Sequence, residues 1–578
     1  MFQQKPFFLI RKYHSILVAA IVVEAVSFLV SLTDSIVAAN MVSETAFAAI
    51  GIMSPFFSIS VFITATINSG TVLNFSEQIG SFNKKRAFEF FSEGVIFALA
   101  SGAVYTVVLI LIKKPFIDSQ VITPETALAL SEYYDLIIFY FMMSPISALL
   151  DNIVIADGGE KLSAVSNSIQ IVGNIVLSYA LSVPLGITGV AAATVICKAL
   201  FIVIILFWFF GKRNSIRFVR YFSFKACMNI VSKGIVRAST FAMTAIMTII
   251  LNSIVLNNYG EDAFLILTST LKIMGLTSIF LGLSMAIQPL VGTLQGENNT
   301  KAERFLLRRA SIDILLIGVI TAVLVQVFAP FIVTAFGLKD PLLFEDAVFA
   351  ARITGIYLAF SAVMVFFFIC YFLLGKKILA ITVSVIKDFL VPIILAESIV
   401  ILFDRMRAFW FGLAFSSVIA FIICALIILI RFGRPLFPYL IPRENDRTIY
   451  IYDFIIDDKT AVAMSATAAE VLKESGYTCH LQTLVSVYIE DILMLIKEKN
   501  SGAKKEVSAE CTLILNNSNV RVIFRDSGVV FDVSDSDALP DSFRQFIVAN
   551  MMESHRNKIY MVTTGYNRIE LDFRENQI

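Results

Sequence analysis

Long apolar segments recur along most of this chain, and their length constrains the fold more than any other feature. About 20 consecutive apolar residues suffice for a helix to cross a bilayer. The chain therefore predicts an all-α polytopic membrane protein with twelve transmembrane helices. The spans are predicted at 14–40, 46–76, 88–112, 130–155, 162–183, 187–210, 235–257, 263–292, 305–336, 346–374, 378–402 and 408–431.

The composition excludes several function classes. Hydrophobic residues make up 57% of the chain and charged residues 16%, whereas soluble domains carry about 25% charged residues. The net charge of +1 argues against a nucleic-acid-binding protein, which needs a clustered basic excess. The six cysteines form no Cys-x-x-Cys pair and the three histidines are dispersed, so we expect no metal site and no redox site.

Basic residues are distributed unequally between alternate loops. The loops on one side of the predicted spans contain roughly twenty Lys and Arg residues, and those on the other side contain about five. Loops rich in Lys and Arg stay in the cytoplasm. We therefore expect a multi-pass protein of the cytoplasmic membrane whose N- and C-termini are both cytoplasmic.

The composition changes after Pro442. Residues 443–578 are charged and polar, and they contain no apolar segment long enough to span a bilayer. The stretch RFGRPLFPYLIPREN contains three prolines, which do not continue a helix, and is predicted to be the linker. We expect a six-helix membrane half with its connector at 1–225, a second six-helix half at 226–440 and a cytoplasmic α/β domain at 441–578.

The two membrane halves repeat each other at a nearly constant spacing. The segment GSFNKK at 80–85 corresponds to GENNTK at 296–301, and DGGEK at 157–161 corresponds to LLGKK at 373–377, both 216 residues apart. Glycine and lysine that simply mark turns would not explain one common spacing. Six spans per half predict parallel repeats, related by an axis along the membrane normal, that enclose a central cavity. This is the architecture of an alternating-access transporter.

The first span carries a polar face. Five polar residues recur there at spacings of three and four, namely Glu24, Ser27, Ser31, Asp34 and Ser35. A carboxyl group is costly in hydrocarbon, so an intramembrane acid normally faces a cavity or a partner. The repeat pairs Asp34 with Asn252 at a spacing of 218, so the second half has no acid there. Asp34 is the candidate ion- or proton-responsive residue, and a purely structural hydrogen-bonding role is the alternative.

Four motifs of the membrane part resemble the multidrug and toxic compound extrusion (MATE) family, over roughly residues 10–440. They are TDSIVAANMVSETAFAAIG, NSGTVLNFSEQIGSFNKKRA, NIVLSYALSVPLGITGVAAAT and AIQPLVGTLQGENNTKA. The resemblance implies a secondary antiporter that extrudes organic, often cationic, compounds in exchange for protons or sodium.

The same resemblance implies a set of coupling residues. The family's first-span aspartate falls on Asp34, its fifth-span Asn-x-x-x-Asp pattern on Asn174 and Ser178, and a sixth-span threonine on Thr194. Serine at 178 removes one acid, and a hard cation prefers several oxygen ligands, so protons are favoured over sodium. Glu24, on the same predicted helix face as Asp34, is a hypothetical second acid.

The predicted lining of the substrate cavity comprises Asn68, Asn252, Lys272 and Asp388. Five basic residues also lie in or near the spans, namely Lys198, Arg237, Lys272, Arg352 and Lys387. Long basic side chains can extend from helix ends towards water. If several of them line the cavity instead, an anionic substrate becomes the alternative to a cationic or amphiphilic one.

The tail is predicted to form an α/β sandwich. Residues 482–496 have the pattern of an amphipathic helix, and the segments CTLILNN, NVRVIFRDSG and IELDF alternate as strands do. This order resembles a divergent histidine-kinase-type ATPase domain of the anti-sigma-factor kind. That resemblance implies nucleotide contacts from Glu490, Asp526 and Gly528, and it places the family's late segment on TGYN at 564–567.

The tail also departs from that second family. Met494 stands where the family has a magnesium-binding asparagine, and FIVANMMESHRNKIY lacks the glycine-rich lid. A lone DSG is also a common turn sequence. We therefore expect a regulatory or protein-interaction role for the tail, with ATP binding as the alternative.

Together these features predict a secondary active antiporter with a regulatory tail, and not an enzyme. Beyond the coupling ion we expect no cofactor. The expected partners are a small-molecule substrate, the lipid bilayer and a cytoplasmic regulatory protein at the tail, and not nucleic acid. The alternatives are a flippase or exporter of lipid-linked saccharides or anionic metabolites and, less favoured, a membrane-anchored signalling kinase.

Overall fold

A computed structural model describes residues 7–81, 83–119, 124–211, 216–335, 341–403, 405–433, 437–438, 448–501, 506–516, 519–529, 558–563 and 566–574. The membrane part is helical over these ranges, and the tail combines helices with one β-sheet. The predicted class, an all-α membrane part followed by a small α/β domain, is confirmed. Most of the predicted linker, Thr564 and Gly565, and the predicted lid segment up to residue 557 lie outside the described residues.

Fourteen helices form the two membrane halves in the described part of the chain. The first half contains α1 (Phe7–Val37), α2 (Glu44–Ile52), α3 (Ser54–Gly80), α4 (Lys84–Ser119), α5 (Pro124–Ala156), α6 (Glu160–Leu185) and α7 (Ile187–Leu206). The second half contains α8 (Phe224–Met274), α9 (Thr277–Gly296), α10 (Thr300–Ala335), α11 (Pro341–Leu373), α12 (Lys377–Val385), α13 (Val391–Phe403) and α14 (Met406–Phe432).

The predicted second span, 46–76, is wrong at its start. The helix is interrupted at Met53, so α2 is a separate short helix whose N-cap is Ser43. Pro55 lies in the first turn of α3, where the missing N–H of proline costs nothing. The spanning helix therefore begins at α3.

The helix boundaries follow the predicted repeat. α3 ends at Gly80 and α9 at Gly296, and α4 begins at Lys84 and α10 at Thr300. Both pairs of boundaries are 216 residues apart, the spacing that the sequence motifs show. Equivalent motifs in the two halves thus end and begin equivalent helices.

Twelve helices in the described part are long and apolar enough to cross a membrane. Cys479–Lys499 is one of them, but its apolar residues are buried in the core of the tail domain, so we assign it to that domain. α1 is not among the twelve. It is 31 residues long, packs along α6 and α9 and completes a set of twelve spans.

The outer surface of the bundle is apolar, as contact with lipid requires. On α6 the side chains of Val165, Val172, Val176 and Val183 are exposed, whereas Ser163, Asn167, Asn174, Ser178 and Ser182 are buried. This arrangement is the reverse of a helix on a soluble protein. It places the polar stripe of α6 in the interior of the bundle.

Irregular turns interrupt the helices at several places in the described part of the chain. Gly260 has a φ of +79°, a left-handed conformation that glycine adopts without strain, and it bends α8 between two membrane-crossing segments. π-helical turns occupy Ala38–Val42, just after Asp34, and Ile386–Leu390 between α12 and α13. Such π turns frequently occur at functional sites.

The tail domain is a five-stranded antiparallel sheet with two helices. Its elements are β1 (Ile449–Ile455), α15 (Asp458–Glu474), α16 (Cys479–Lys499), β2 (Ser508–Asn516), β3 (Asn519–Asp526), β4 (Lys558–Thr563) and β5 (Tyr566–Arg574). The strand order is β1-β2-β3-β5-β4. α16 contains the predicted helix 482–496, and a capping box between Asp457 and Thr460 begins α15.

The sheet is buried on both faces. Val520, Val522 and Phe524 of β3 pack with the apolar residues of α15 and α16. The alternate residue Ile523 packs instead into the core of the membrane bundle, together with Ile449. The predicted sandwich is therefore confirmed, with the end of the membrane bundle covering its second face. We call this end of the bundle the tail face.

Candidate functional site

Asp34 lies at the centre of a polar cluster inside the first half. Its carboxylate accepts a hydrogen bond from Thr194 Oγ1 at 3.1 Å and one from Ser178 Oγ at 3.3 Å. The Nδ2 atom of Asn174 donates to Thr194 Oγ1 at 3.0 Å. The structure thus brings together the four residues that the family resemblance had selected from α1, α6 and α7.

The local sequence explains this cluster. Asn174 and Ser178 are four residues apart on α6, so they lie one above the other on the buried stripe. Ser178 is fully buried and Asn174 nearly so. Within the described residues, Asn174 Oδ1 has no hydrogen-bond partner although it is buried, so it is a free oxygen ligand or acceptor next to Asp34.

Glu24 does not belong to this cluster. Ten residues separate it from Asp34 on α1, which is about 15 Å along the helix axis. The charged groups that act on Glu24 are Arg237 of α8 and Asp151 of α5. The hypothesis that Glu24 is a second acid beside Asp34 is therefore wrong. A shared helix face defines a direction but not a depth.

A cavity of about 740 Å³ lies between the two halves. Residues near the beginning of α3, from Pro55 to Val61, form one wall, so the cavity is near the end of the bundle opposite the tail face. The other walls come from α8, the start of α9, α11 and the π turn of Ile386–Leu390. Its lining area is mainly apolar, which suits an organic or amphiphilic molecule.

The cavity contains two of the four predicted lining residues. Asn252 and Asp388 line it, and Lys387 lines it beside Asp388. Asn68 and Lys272 are not among the described lining residues of this cavity, and their role stays a prediction. Asn68 lies about two helical turns beyond Val61 towards the closed tail face, and the side chain of Lys272 is exposed.

The buried ion pair in the cavity wall involves adjacent residues. Lys387 Nζ contacts Asp388 Oδ1, and Ser384 Oγ donates to Asp388 Oδ2 at 3.2 Å. Adjacent residues of an α-helix diverge by about 100°, and the π turn that contains both residues changes this local geometry. The two charges compensate each other, so the pair adds polarity to the wall with little net charge.

A row of threonines on α8 also lines the cavity, and the sequence reasoning missed it. Thr240, Thr244 and Thr248 recur every four residues, a spacing that could have revealed the row. The hydroxyl groups of Thr244 and Thr248 donate to carbonyls one turn earlier at 2.9 Å. The hydrogens of these two hydroxyl groups are therefore engaged within α8.

Contacts between the halves close the bundle towards the tail face. Lys233 Nζ of α8 forms an ion pair with Glu77 Oε2 of α3 at 2.6 Å. Gln288 Nε2 of α9 donates to the carbonyl of Ser69 at 2.8 Å. The described structure thus combines a large cavity near one end with direct contacts between the halves near the other.

The family model MatE matches the chain twice, at residues 19–180 and 235–396, which together exceed half of its length. The chain belongs to the MATE family. The second match begins 216 residues after the first, which agrees with the spacing of the repeat. As a MATE family member the protein is a membrane efflux transporter. No curated protein sequence matches it significantly.

Solved MATE structures share the fold. A MATE transporter in complex with MaL6 is 19% identical with a TM-score of 0.68, covering 73% of this chain and 95% of the other. The outward-facing conformation of a multidrug resistance MATE transporter of the MOP superfamily is 20% identical with a TM-score of 0.68, covering 73% and 95%. A MOP superfamily transporter from Pyrococcus furiosus, described as having a binding pocket of reverse polarity, is 19% identical with a TM-score of 0.67, covering 74% and 96%.

In the tail of this MATE protein, two of the three predicted nucleotide contacts lie together. Asp526 Oδ1 accepts hydrogen bonds from the Gly528 N–H at 2.9 Å and from Asn567 Nδ2 at 2.8 Å. Burial raises the pKa of Asp526 to about 6, although both hydrogen bonds oppose this rise. Glu490 is partly exposed on α16. Nucleotide binding stays a prediction.

Proposed function

We propose that the protein is an antiporter that exports organic, cationic or amphiphilic compounds in exchange for protons, and that Asp34 is its proton-coupling residue. The observation that supports this proposal is the pair of hydroxyl donors on a membrane-embedded carboxylate in the first half. We also propose, from the charge bias of the loops, that the tail face is cytoplasmic, so that the cavity faces the outside.

Thr194 supplies a simple chemical switch. Its hydroxyl group has one hydrogen and two acceptors within reach, Asp34 Oδ2 at 3.1 Å and the carbonyl of Val190 at 3.2 Å. An ionised Asp34 accepts that hydrogen, whereas a protonated Asp34 has a hydrogen of its own to donate. Proton binding then turns the Thr194 hydroxyl group towards Val190 and replaces the charge-assisted hydrogen bond between α1 and α7 with a weaker neutral one.

A loosened α1 links proton binding to the movement of the halves. α1 packs on α6 of its own half and on α9 of the other half. A proton drives a conformational change only to the extent that it binds the two states with different affinities. The hydrogen bonds at Asp34 provide such a difference, because they exist in the described state and depend on the protonation of the carboxyl group.

Export of an anionic compound is the second candidate, and Lys387 in the cavity wall favours it. An anion would compete with Asp388 for the Lys387 ammonium group, whereas a cation would compete with Lys387 for the Asp388 carboxylate. The cavity therefore has a charged group of either sign, and its apolar lining serves both substrate classes.

Efflux from proteoliposomes under separate proton and sodium gradients tests the proposal. We expect the purified full-length chain to move cationic dyes against their gradient when protons alone are supplied. Efflux that requires sodium would assign Asn174 Oδ1 and Asp34 to a sodium site instead. Preferential movement of anionic compounds would select the second candidate, and the absence of movement under either gradient would contradict both.

Replacement of Thr194 by valine should weaken coupling without loss of the fold. A hydrogen bond to a charged group contributes about 1.5–3 kcal/mol, so proton-driven efflux should fall by roughly tenfold or more. Thr188→Val is the matched control, since Thr188 lies on the same helix and donates to the carbonyl of Leu185. Equal efflux rates for the two variants would exclude the switch.

A regulatory role for the tail is a further part of this proposal. Its resemblance to a histidine-kinase-type ATPase domain stays a prediction, as do ATP binding and a cytoplasmic protein partner. The order of two helices followed by two strands and the DSG turn is compatible with that resemblance. The support for regulation comes from the position of the tail against the membrane bundle.

A further inference from the structure

Two fully buried arginines lie between the tail domain and the membrane bundle. Arg525 of β3 and Arg568 of β5 have no exposed surface. They occupy the sheet face that points away from α15 and α16, since their neighbours Phe524 and Ile569 belong to the helix-facing core. A buried guanidinium group needs partners. Both arginines find partners in the membrane bundle.

Both arginines form ion pairs with one glutamate of the bundle. Glu297 follows directly after the last residue of α9 and is itself fully buried. Arg525 contacts Glu297 Oε2, and Arg568 Nε lies 2.9 Å from Glu297 Oε1. The tail thus holds the end of a helix that belongs to the second membrane half.

Arg568 also holds the first membrane half. Its two terminal nitrogens donate to the carbonyls of Ile79 at 3.1 Å and Gly80 at 2.9 Å. These carbonyls end α3, and the last carbonyls of a helix have no partner within the helix and carry partial negative charge. One guanidinium group therefore bridges the ends of α3 and α9.

The bridged helix ends touch each other. A Cβ atom on Gly80 would lie 2.1 Å from the carbonyl oxygen of Thr293, and one on Gly296 would lie 2.2 Å from that of Glu77. Only glycine permits this approach. Arg568 can reach both halves because α3 and α9 are in backbone contact at the tail face.

We propose that the tail domain is a latch that binds the conformation closed at the tail face and must release Glu297 before the halves separate there. This inference rests on the proposed alternating access. Besides Glu570 of the tail at 3.1 Å, Arg568 contacts Glu297 of one half and the end of α3 in the other. Separation of α3 from α9 would break one of these two contacts with the bundle, and breaking a buried ion pair is strongly unfavourable. The tail therefore favours the closed state, and a signal that loosens the tail activates transport.

Further contacts along this interface support the latch. Lys301 Nζ of α10 donates to the carbonyl of Ile449 at 2.7 Å. Arg11 of α1 forms an ion pair with Asp453 at 3.5 Å. These contacts again join the tail to helices of both halves, which a domain that merely followed one half would not require.

Distances between spin labels on the full-length chain in lipid nanodiscs test the latch. The labels are attached at positions 161 and 376, where Lys161 and Lys376 are exposed at corresponding tail-side turns of the two halves. Cys479, the exposed one among the six cysteines, is first replaced by serine so that it takes up no label. We expect a short distance in this parent. Arg568→Gln and Glu297→Gln should each raise the ratio of long to short distances on the order of tenfold.

Two further variants complete the experiment. Arg521→Gln is the matched control, because Arg521 lies on the same sheet face but its ion pairs, with Asp572 at 2.8 Å and Glu570 at 3.0 Å, stay within the tail. We therefore expect the parent distribution. A chain that stops at Pro438 has no tail to misfold, and it should open as Arg568→Gln does. Unchanged distances in all the latch variants, or an equal opening in Arg521→Gln, would overturn the latch.

This readout is independent of the proposed function. The distances are measured at one pH without substrate or ion gradient, so the difference between parent and latch variants requires neither proton coupling at Asp34 nor a known exported compound. Failure of efflux with a clear opening of the latch variants would therefore contradict the proton-coupled antiporter and leave the latch in place.

Discussion

Replacement of Asp34 by asparagine should abolish proton-driven efflux while the protein still folds and inserts. Asparagine has nearly the same shape and keeps one carbonyl oxygen as an acceptor for Thr194 or Ser178, whose hydroxyl groups lie 3.1 Å and 3.3 Å from the carboxylate. It cannot take up a proton. We expect efflux from proteoliposomes to fall to the rate of protein-free vesicles, with substrate binding at the cavity largely retained.

Asp135→Asn is the matched control for this change. Asp135 is an exposed acid of α5 that pairs with Lys113 at 2.5 Å, and it does not belong to the buried polar cluster around Asp34. Its replacement should leave the efflux rate unchanged. If Asp34→Asn supports full proton-driven efflux, Asp34 has a structural role only, and the coupling residue lies elsewhere.

Replacement of Lys387 by methionine should destabilise the second half severely. The side chains of Lys387 and Asp388 are 7% and 6% exposed, so methionine would leave the Asp388 carboxylate buried without a counter-charge. Loss of one partner of a buried pair costs about 3–5 kcal/mol in the free energy of unfolding. Reversible unfolding in mixed micelles measures this loss.

The double variant Lys387→Met/Asp388→Asn tests the origin of the loss. With both charges removed, most of the stability should return, because no buried charge remains uncompensated. Lys376→Met, at an exposed position just before α12, should be neutral. A double variant as unstable as Lys387→Met would show that packing of the lysine, and not the charge pair, stabilises the π turn.

The sequence predicts the membrane architecture well because its signals are local or periodic. Apolar segments predict spans, and the 216-residue repeat of turn motifs predicts where α3, α9, α4 and α10 end and begin. Asn174 and Ser178 are one helical turn apart, so their shared position follows from the helix period. Thr194 came from the family resemblance, since no period connects α7 with α1.

Glu24 and Asn68 lie away from the sites predicted for them for a common physical reason. Glu24 shares the predicted face of α1 with Asp34, but the helix rise separates the two residues by about 15 Å along the axis. Asn68 lies on α3 as expected, but the halves close at its depth and leave it outside the cavity lining. A helix period tells which side a residue faces, and it says nothing of how two helices cross.

The sequence alone determined the twelve-span repeat, the shared face of Asn174 and Ser178 and the alternation of the tail strands. Each follows from a local or repeated pattern in the chain. The tertiary structure decided that Arg525 and Arg568 meet Glu297 at the junction of the two halves. Arg525 and Glu297 are 228 residues apart, and both are as polar as ordinary surface residues. Their burial follows from the packing of one folded domain on another, which no local pattern encodes.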